Sequence, residues 1–191
     1  MLIILLFCNM LNENQNLQYA YFGAGCFWCV EAVFKDLNGV QEVLSGYSGG
    51  VKERANYSAV CSGKTQHAEI CRIKYDPNII SFQTLLKVFF LAHDPTTLNR
   101  QGNDIGPQYR SIIFYNNQKE KIETEKYIQQ LYKDKIYNNI TTELTIFKKF
   151  YQAENKHQNY FQSNPNQAYC IIIISPKMEK LRKKLKKYYT K

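Results

Sequence analysis

The sequence predicts an α+β fold, a two-layer sandwich of the ferredoxin-like plait type, in which helices pack on a mixed β-sheet. Three observations lead to this prediction. Strand-like and helix-like patterns follow one another along the chain, the helical segments are apolar on one side only, and neither an internal repeat nor a Gly-, Ser- or Pro-rich linker divides the sequence. With 191 residues, 45% of them hydrophobic and 14% aromatic, the chain has the composition of one globular domain.

Five strands are predicted from short runs of alternating or β-branched residues. They cover residues 17–21, 40–47, 67–75, 111–115 and 142–147. The first rests on the alternation of Leu17, Tyr19 and Tyr21, and Gly23 and Gly25 permit a tight turn after it. Residues 100–110 form a polar loop with two glycines directly before a strand, which is typical of a functional loop.

Three helices are predicted between these strands. The first begins near Cys26 and stops at Asn38-Gly39, the second is capped by Ser81 and stops at His93-Asp94-Pro95, and the third covers residues 118–137. Apolar residues at helical spacing mark the buried faces of the first two helices. They are Val30, Val33, Phe34 and Leu37 in the first, and Phe82, Leu85, Leu86, Phe89 and Phe90 in the second. The long segment after Phe147 is expected to wrap irregularly over the surface.

The segment from Tyr21 to Glu31 predicts a thiol active site. A strand there runs through a glycine bend into Cys26, in the first turn of a helix. Unpaired backbone N–H groups and the positive end of the helix dipole favour a thiolate at such a position. Only the thiolate attacks, and an ordinary cysteine, with a pKa of roughly 8.5, is mostly protonated at neutral pH. Phe27 and Trp28 would wall a small apolar cavity suited to a methyl group.

Other interpretations of Cys26 and Cys29 stay open on these residues alone. Free cysteine is among the most buried residue types, so both could be ordinary core residues. The Cys-x-x-Cys spacing also occurs in thioredoxin-like redox pairs and in zinc sites. No second Cys-x-x-Cys or His-x-x-x-His pair accompanies it, so we expect no bound metal.

Glu69 is a candidate proton donor. Alternation along the strand places it on the same face as Ile73 and Tyr75, which is the more apolar face. Burial there would penalise the charged carboxylate and raise its pKa toward neutral, as a general acid requires. The alternative is an edge-strand carboxylate in water.

The net charge of +9 is concentrated at the carboxyl end. Residues 177–191 contain eight Lys and Arg against one Glu, so they account for +7 of this charge. Met178, Leu181 and Leu185 at helical spacing predict a short amphipathic helix, whose lysines could touch RNA or anionic lipid. We expect a solvated, fraying tail instead. The alternative is a non-catalytic body that acts through this tail.

The predicted organisation is a flexible extension over residues 1–16, one domain over 17–176 and a basic tail over 177–191. Six cysteines are too few for a disulfide scaffold and predict reduced thiols in the cytoplasm. An apolar run at residues 2–7 lacks the basic leader and cleavage site of a signal peptide. If it is a signal, the protein enters the secretory pathway. We expect a monomer.

Five motifs occur in order along the chain. They are Gly25-Cys26-Phe27-Trp28-Cys29, Tyr57, Thr65-Gln66-His67-Ala68-Glu69, His93-Asp94-Pro95 and a run from Gln101 to Ser111 that contains Gly-Asn-Asp-x-Gly-x-Gln-Tyr-Arg-Ser. With these motifs the chain resembles the peptide methionine sulfoxide reductases of type A, over roughly residues 19–170. The resemblance implies reduction of the S epimer of methionine sulfoxide, free or in oxidised proteins, with no bound metal or organic cofactor.

The resemblance also implies a role for each matching residue. Cys26 matches the nucleophile that attacks the sulfoxide sulfur, and Glu69 matches the acid that protonates its oxygen. Tyr57 and Tyr109 match the phenols that bind that oxygen. Asp104 matches a buried carboxylate that organises the site.

Further matches concern the methyl group and the recycling of the enzyme. Phe27 and Trp28 match the walls that hold the methyl group. Release of methionine would leave a sulfenic acid, which a second thiol condenses with to form a disulfide. Cys170 matches the family's first resolving cysteine, and thioredoxin or a small dithiol would reduce the disulfide. Cys29 stands where many members have glycine and is an alternative resolving thiol.

Overall fold

A six-stranded mixed sheet forms the centre of the computed structural model, which describes residues 16–189. The strands are β1 (Gln18–Ala24), β2 (Val40–Ser48), β3 (Ala68–Tyr75), β4 (Arg100–Gln101), β5 (Asp104–Ile105), β6 (Ser111–Tyr115), β7 (Glu143–Ile146) and β8 (Tyr151–Gln152). The order across the main sheet is β7-β6-β1-β3-β2-β8, and β4 with β5 forms a separate hairpin. Only β6 and β7 run parallel. The prediction of an α+β fold with a mixed sheet is therefore confirmed.

Six helices accompany this sheet within residues 16–189. They are α1 (Phe27–Lys35), α2 (Tyr57–Cys61), α3 (Phe82–Ala92), α4 (Gln118–Lys133), α5 (Tyr160–Ser163) and α6 (Ser175–Lys184). The apolar stripes predicted for α1 and α3 are buried in the main core. Of these helices, α2, α5 and the full extent of α6 were not predicted, and α4 ends four residues earlier than expected. None of the described helices is both long and apolar enough to cross a membrane.

Strand β1 is buried on both faces of the sheet in its second half. Phe22 points into the main core under the helices, where its ring lies 5.0 Å from that of Phe89 and 5.6 Å from that of Phe34. Tyr21 belongs to a smaller apolar cluster on the opposite face, and its ring stacks on Phe147 at 3.8 Å. The predicted stripe that includes Tyr21 thus covers the outer face, whereas the residues between its members meet the helices.

The basic segment at the carboxyl end is folded against α1, which corrects the expectation of a solvated tail. Its apolar residues are buried: Met178, Leu181, Leu185 and Tyr189. The Tyr189 hydroxyl donates a hydrogen bond to the carbonyl of Val33 at 2.9 Å, and Arg182 forms a salt bridge with Asp36. The predicted amphipathic pattern is correct. The expectation of a solvated tail is wrong because the apolar face of this helix docks on the core while most of its lysines face outward. Residues 190 and 191 lie outside the described part.

His93 ends α3 as a buried, neutral imidazole. Its Nδ1 lies 2.7 Å from the carbonyl oxygen of Phe89, so Nδ1–H donates there. Its Nε2 lies 2.7 Å from the hydroxyl of Ser111, which donates to it. Burial lowers the pKa of His93 to about 4, against the opposing effect of the Phe89 carbonyl.

The free energy of unfolding should therefore decrease as the pH is lowered through the titration of His93. As the pH drops, the unfolded chain takes up a proton near the ordinary pKa of about 6.5, while the folded chain resists until about 4. From about pH 7 to about pH 4.5 this linkage amounts to about 2 kcal/mol. Urea unfolding of the wild type and of His93→Gln at both pH values should show a smaller loss in the variant. An equal loss in the two proteins would contradict this assignment.

Candidate active site

Cys26 is the residue on which α1 begins. It follows Gly25, whose φ is +90°, and its carbonyl oxygen accepts the first helical hydrogen bonds from the N–H groups of Cys29 and Val30. A Cβ on Gly25 would lie 2.7 Å from the side chain of Gln101, in the loop that carries β4 and β5. Glycine is thus required twice, by the backbone conformation and by the close approach of this loop.

Glu69 lies directly behind the first turn of α1. Its Oε2 accepts a hydrogen bond from the backbone N–H of Phe27 at 3.0 Å, and the residue is 1% exposed. Burial raises the pKa of this carboxyl to about 8, although the Phe27 N–H acts in the opposite direction. At neutral pH the side chain therefore carries a proton, as expected of a residue on the apolar face of β3.

The two thiols at the start of α1 form a hydrogen-bonded pair. Burial raises the pKa of Cys26 well above its ordinary value, and the hydrogen bond with Cys29 and the charge of Glu69 add to this. The expectation of a helix-stabilised thiolate at Cys26 is therefore not met, because desolvation outweighs the hydrogen bond from the Trp28 N–H. Cys29 has its pKa lowered to about 7 by the Cys26 hydrogen bond, against the effect of burial.

Aromatic rings surround this first turn. The ring of Phe27 lies 6.5 Å from that of Tyr57 and 5.3 Å from that of His157. The indole of Trp28 stacks on Tyr160 at 3.6 Å with an interplanar angle of 5°. His157 is buried among these rings, and neither of its ring nitrogens has a partner within the described residues. Burial lowers its pKa, so the imidazole is neutral.

Tyr57 is held in place by a carboxylate from the distant wrapping segment. Glu154 accepts a hydrogen bond from the backbone N–H of Tyr57 at 2.9 Å and another from the hydroxyl of Tyr47, also at 2.9 Å. Burial alone would raise the pKa of Glu154, but these hydrogen bonds lower it below its ordinary value. The Asn56 side chain caps α2 by accepting from the N–H of Ala59. Tyr57 therefore begins a helix that is fixed at both its cap and its first amide.

A second carboxylate fixes the wrapping segment to α1. Glu31 is buried, and its two oxygens accept the N–H groups of Asn159 at 2.7 Å and Tyr160 at 3.2 Å. These bonds place the Tyr160 ring over Trp28. Sequence reasoning missed Glu31, Glu154, His157 and Tyr160. For Glu31 a signal was present, since it lies among the apolar positions of α1.

The loop after α3 contributes Asp104 and Tyr109. The hydroxyl of Tyr169 donates to Asp104 Oδ2 at 2.7 Å, and its oxygen lies 3.6 Å from the Cys29 sulfur. Asp104 is half-buried rather than buried, because it belongs to the short hairpin at the surface. Tyr109 has its pKa raised by burial and then by the charge of Glu69, so its hydroxyl remains protonated.

Cys170 lies in a π-helical turn (Cys170–Ile174) directly before α6. It is fully buried, and burial raises the pKa of its thiol, as does the charge of Cys29. Five cysteines of the described part are free thiols: Cys26, Cys29, Cys61, Cys71 and Cys170. Within residues 16–189 no three His, Cys, Asp or Glu side chains are grouped as they would be around a metal ion.

A nucleophilic thiol next to a second thiol, a protonated carboxyl and an aromatic cage defines a thiol-dependent oxidoreductase. Comparison with known proteins identifies which one. The family model described as "Peptide methionine sulfoxide reductase" matches residues 18–189. The chain belongs to the peptide methionine sulfoxide reductase family.

Individual relatives agree with this assignment. Peptide methionine sulfoxide reductase MsrA of Acinetobacter baumannii is 52% identical over 168 residues, which are 88% of this chain and 96% of that protein. The enzyme of the same name from Nautilia profundicola is 50% identical over 164 residues, 86% and 94% of the two chains.

Solved structures are similar as well. Reduced Mxr1 of Saccharomyces cerevisiae has a TM-score of 0.75 and 33% identity, with 81% of this chain and 89% of that chain covered. Methionine sulfoxide reductase A of Corynebacterium diphtheriae gives a TM-score of 0.69 at 35% identity, with 78% and 76% covered. The protein is thus an enzyme that reduces methionine sulfoxide, and the thioredoxin-like and non-catalytic alternatives are set aside.

Removal of the Glu154 carboxylate should weaken catalysis through Tyr57. Glu154→Ala leaves the Tyr57 N–H and the Tyr47 hydroxyl without their acceptor, and we expect kcat/KM to fall about three- to tenfold, since such a hydrogen bond contributes about 1 kcal/mol. Glu154→Gln keeps one acceptor oxygen and should lie between. The control is Glu53→Ala, an exposed carboxylate of the same loop region. Unchanged steady-state kinetics in Glu154→Ala would contradict the role.

Proposed function

We propose that the protein reduces the S epimer of methionine sulfoxide, free and in oxidised proteins, and that thioredoxin recycles it. The observation that carries the proposal is the hydrogen bond from the backbone N–H of Phe27, the residue after Cys26, to the carboxyl of Glu69. It holds a buried proton donor beside the nucleophilic sulfur. A sulfoxide reductase needs both, because the sulfur must be attacked while the oxygen is protonated.

The first step transfers the sulfoxide oxygen to Cys26. Cys26 attacks the sulfoxide sulfur, and protonated Glu69 gives its proton to the oxygen, with Tyr57 and Tyr109 as hydrogen-bond donors to it. The attack forms a bond between the two sulfurs. The hydroxyl then moves from the substrate sulfur to the Cys26 sulfur as the S–S bond breaks, so methionine leaves and Cys26 becomes a sulfenic acid. The proton that Cys26 gives up returns to Glu69. The raised pKa of Cys26 keeps the thiol protonated until Glu69 has given its proton to the sulfoxide oxygen and can accept the proton of Cys26.

The same contacts select one epimer. A sulfoxide sulfur is chiral, and three fixed contacts are enough to distinguish its R and S configurations. Its oxygen meets the phenols and Glu69, its methyl group meets Phe27 and Trp28, and the attacking sulfur approaches from a third direction. The stack of Tyr160 on Trp28 restrains the wall that receives the methyl group.

Recycling requires a second thiol and an external reductant. Attack of a thiol on the sulfenic acid gives a disulfide and water, and thiol–disulfide exchange then restores the enzyme. We assign the exchange with thioredoxin, or with a small dithiol, to the disulfide that involves Cys170. The relative Mxr1 has been solved in a reduced and in an oxidised form, which supports a redox cycle of this kind. A thioredoxin partner agrees with the cytoplasmic location that we expect from the cysteine content.

The test of this proposal is reduction of the separated S and R epimers of a blocked methionine sulfoxide. We expect turnover of the S epimer alone with thioredoxin and its reductase as the electron source, and none with Cys26→Ser. Turnover of the R epimer would contradict the stereochemical assignment. Turnover with a small dithiol but not with thioredoxin would contradict the recycling assignment and leave the first step intact.

The acid role of Glu69 predicts a pH dependence of the first step. The carboxyl must be protonated to act, so the single-turnover release of methionine should decline as the pH rises through about 8. Glu69→Gln should slow this release by about a hundredfold or more and remove that decline. The control is Glu125→Gln, an exposed carboxylate of α4. A wild-type rate or an unchanged alkaline decline in Glu69→Gln would exclude the role.

A further inference from the structure

Lys177 of α6 lies close to Cys29 of α1. The two residues line one small cavity of about 10 Å³ between α1, α3 and α6. The rest of its wall is apolar: Ala24, Val30, Val33, Phe34, Phe89 and Ala92. Lys177 is half-buried, unlike the exposed lysines that follow it on the helix. Its first-turn position on α6 is fixed by the buried Met178 beside it.

No Asp or Glu within residues 16–189 forms a salt bridge with Lys177. A charged ammonium beside an apolar wall is unfavourable unless a negative charge faces it. His93 lies within the reach of this charge but is neutral, and both of its ring nitrogens are already bonded. Among the residues that line this cavity with Lys177, the group that can become negative is the thiol of Cys29.

We propose that the Lys177 ammonium stabilises the thiolate of Cys29, and that Cys29 is therefore the thiol that closes the first disulfide on Cys26. This inference rests on the proposed function and adds the order in which the thiols react. Lys177 is a positioning residue in this scheme, since it acts through Cys29 and touches neither substrate nor the sulfoxide.

The backbone geometry suits this disulfide. Cys26 is the N-cap of α1, and the Cys29 N–H donates to its carbonyl oxygen at 3.0 Å, so the two residues are the ends of one turn, with Cα atoms less than about 7 Å apart. A disulfide needs Cα atoms about 4.4–6.8 Å apart. The two thiols are close enough that each shifts the pKa of the other. Cys170, by contrast, is fully buried in its π-helical turn and interacts with Cys29.

The groups that face Cys29 come from four other parts of the chain. Its positive neighbour is Lys177 of α6, and its hydroxyl neighbour is Tyr169. The ionisable groups nearby are Cys26, Glu69, Cys71, Asp104 and Cys170. Glu69 is protonated at neutral pH, and Asp104 accepts the hydrogen bond of the Tyr169 hydroxyl. Lys177 is thus the cation of this group.

The step needs no reactant besides Cys26, Cys29 and the proton of Glu69. The Cys29 thiolate attacks the sulfur of the Cys26 sulfenic acid, so an S–S bond forms and the S–O bond breaks. The oxygen leaves as water after it takes a proton from Glu69. Cys26 and Cys29 together have then supplied the two electrons that reduced the sulfoxide.

The test uses Lys177→Met in a Cys170→Ser background, so that the Cys26–Cys29 disulfide is not passed on. Lys177→Gln serves as a second neutral variant, Lys177→Arg keeps the charge, and Lys180→Met is the matched control on an exposed position of α6. Each protein is mixed with S-sulfoxide without reductant. Released methionine reports the first step, and dimedone trapping with peptide mass mapping reports the loss of sulfenic acid and the disulfide formed.

We expect disulfide formation in the Lys180→Met and Lys177→Arg proteins to rise with pH and level off above about 7. Without the ammonium the inflection should move up by about one pH unit or more. Below the inflection, each unit by which the pKa of Cys29 rises lowers the thiolate fraction about tenfold. A more basic thiolate is also more nucleophilic, which raises the rate again by about threefold. Disulfide formation at about one pH unit or more below this inflection should therefore slow about threefold, with methionine release unchanged.

Two results would overturn the inference and leave the proposed function intact. One is an equal rate and pH profile of disulfide formation in the neutral Lys177 variants and in Lys180→Met. The other is normal methionine release with no Cys26–Cys29 disulfide in the Cys170→Ser protein. If no methionine is released even with Lys180→Met, the proposed function itself fails, and the inference falls with it.

Discussion

The hydrogen bond from the Phe27 N–H to the Glu69 carboxyl joins the sheet to the first turn of α1, and the active site is built around it. The bond needs β3 to be central in the sheet, so that Glu69 is sealed from water. It needs Gly25 in a left-handed conformation, so that the chain turns from β1 into α1 above that carboxyl. It also fixes Cys26, one residue earlier, at the start of the same turn.

Burial sets the chemistry of this site more strongly than any charge within it. Desolvation raises the pKa of Glu69 and of Cys26 together, so these two groups hold protons rather than charges at neutral pH. A helix N-terminus contributes only partial charges, which cannot offset the full loss of water around a thiol. The site is therefore suited to a reaction that moves a proton from the enzyme to an oxygen at the moment of attack. A permanent thiolate would be exposed to unwanted oxidation.

The sequence predicted those parts of the site that depend on a regular period. Glu69 was placed on the apolar face because strand residues alternate, and the stripes of α1 and α3 followed from helical spacing. The wrapping segment has no such period. Glu154 reaches Tyr57 across 97 residues and Glu31 reaches Asn159 across 128, through single side-chain bonds to backbone amides. Pairings of this kind leave no pattern in either stretch of sequence, so the anchors and His157 could not be predicted.

The carboxyl end shows why charge content alone misled. Seven units of positive charge suggested a solvated segment, yet three apolar residues in helical register each contribute about 1.5–3 kcal/mol when buried, enough to hold the helix on α1. Docking turns most lysines outward and brings one, Lys177, inward to Cys29. The same helix begins at the turn that holds Cys170. Because Cys170 is fully buried in that turn, its thiol can meet an external reductant only if the turn opens.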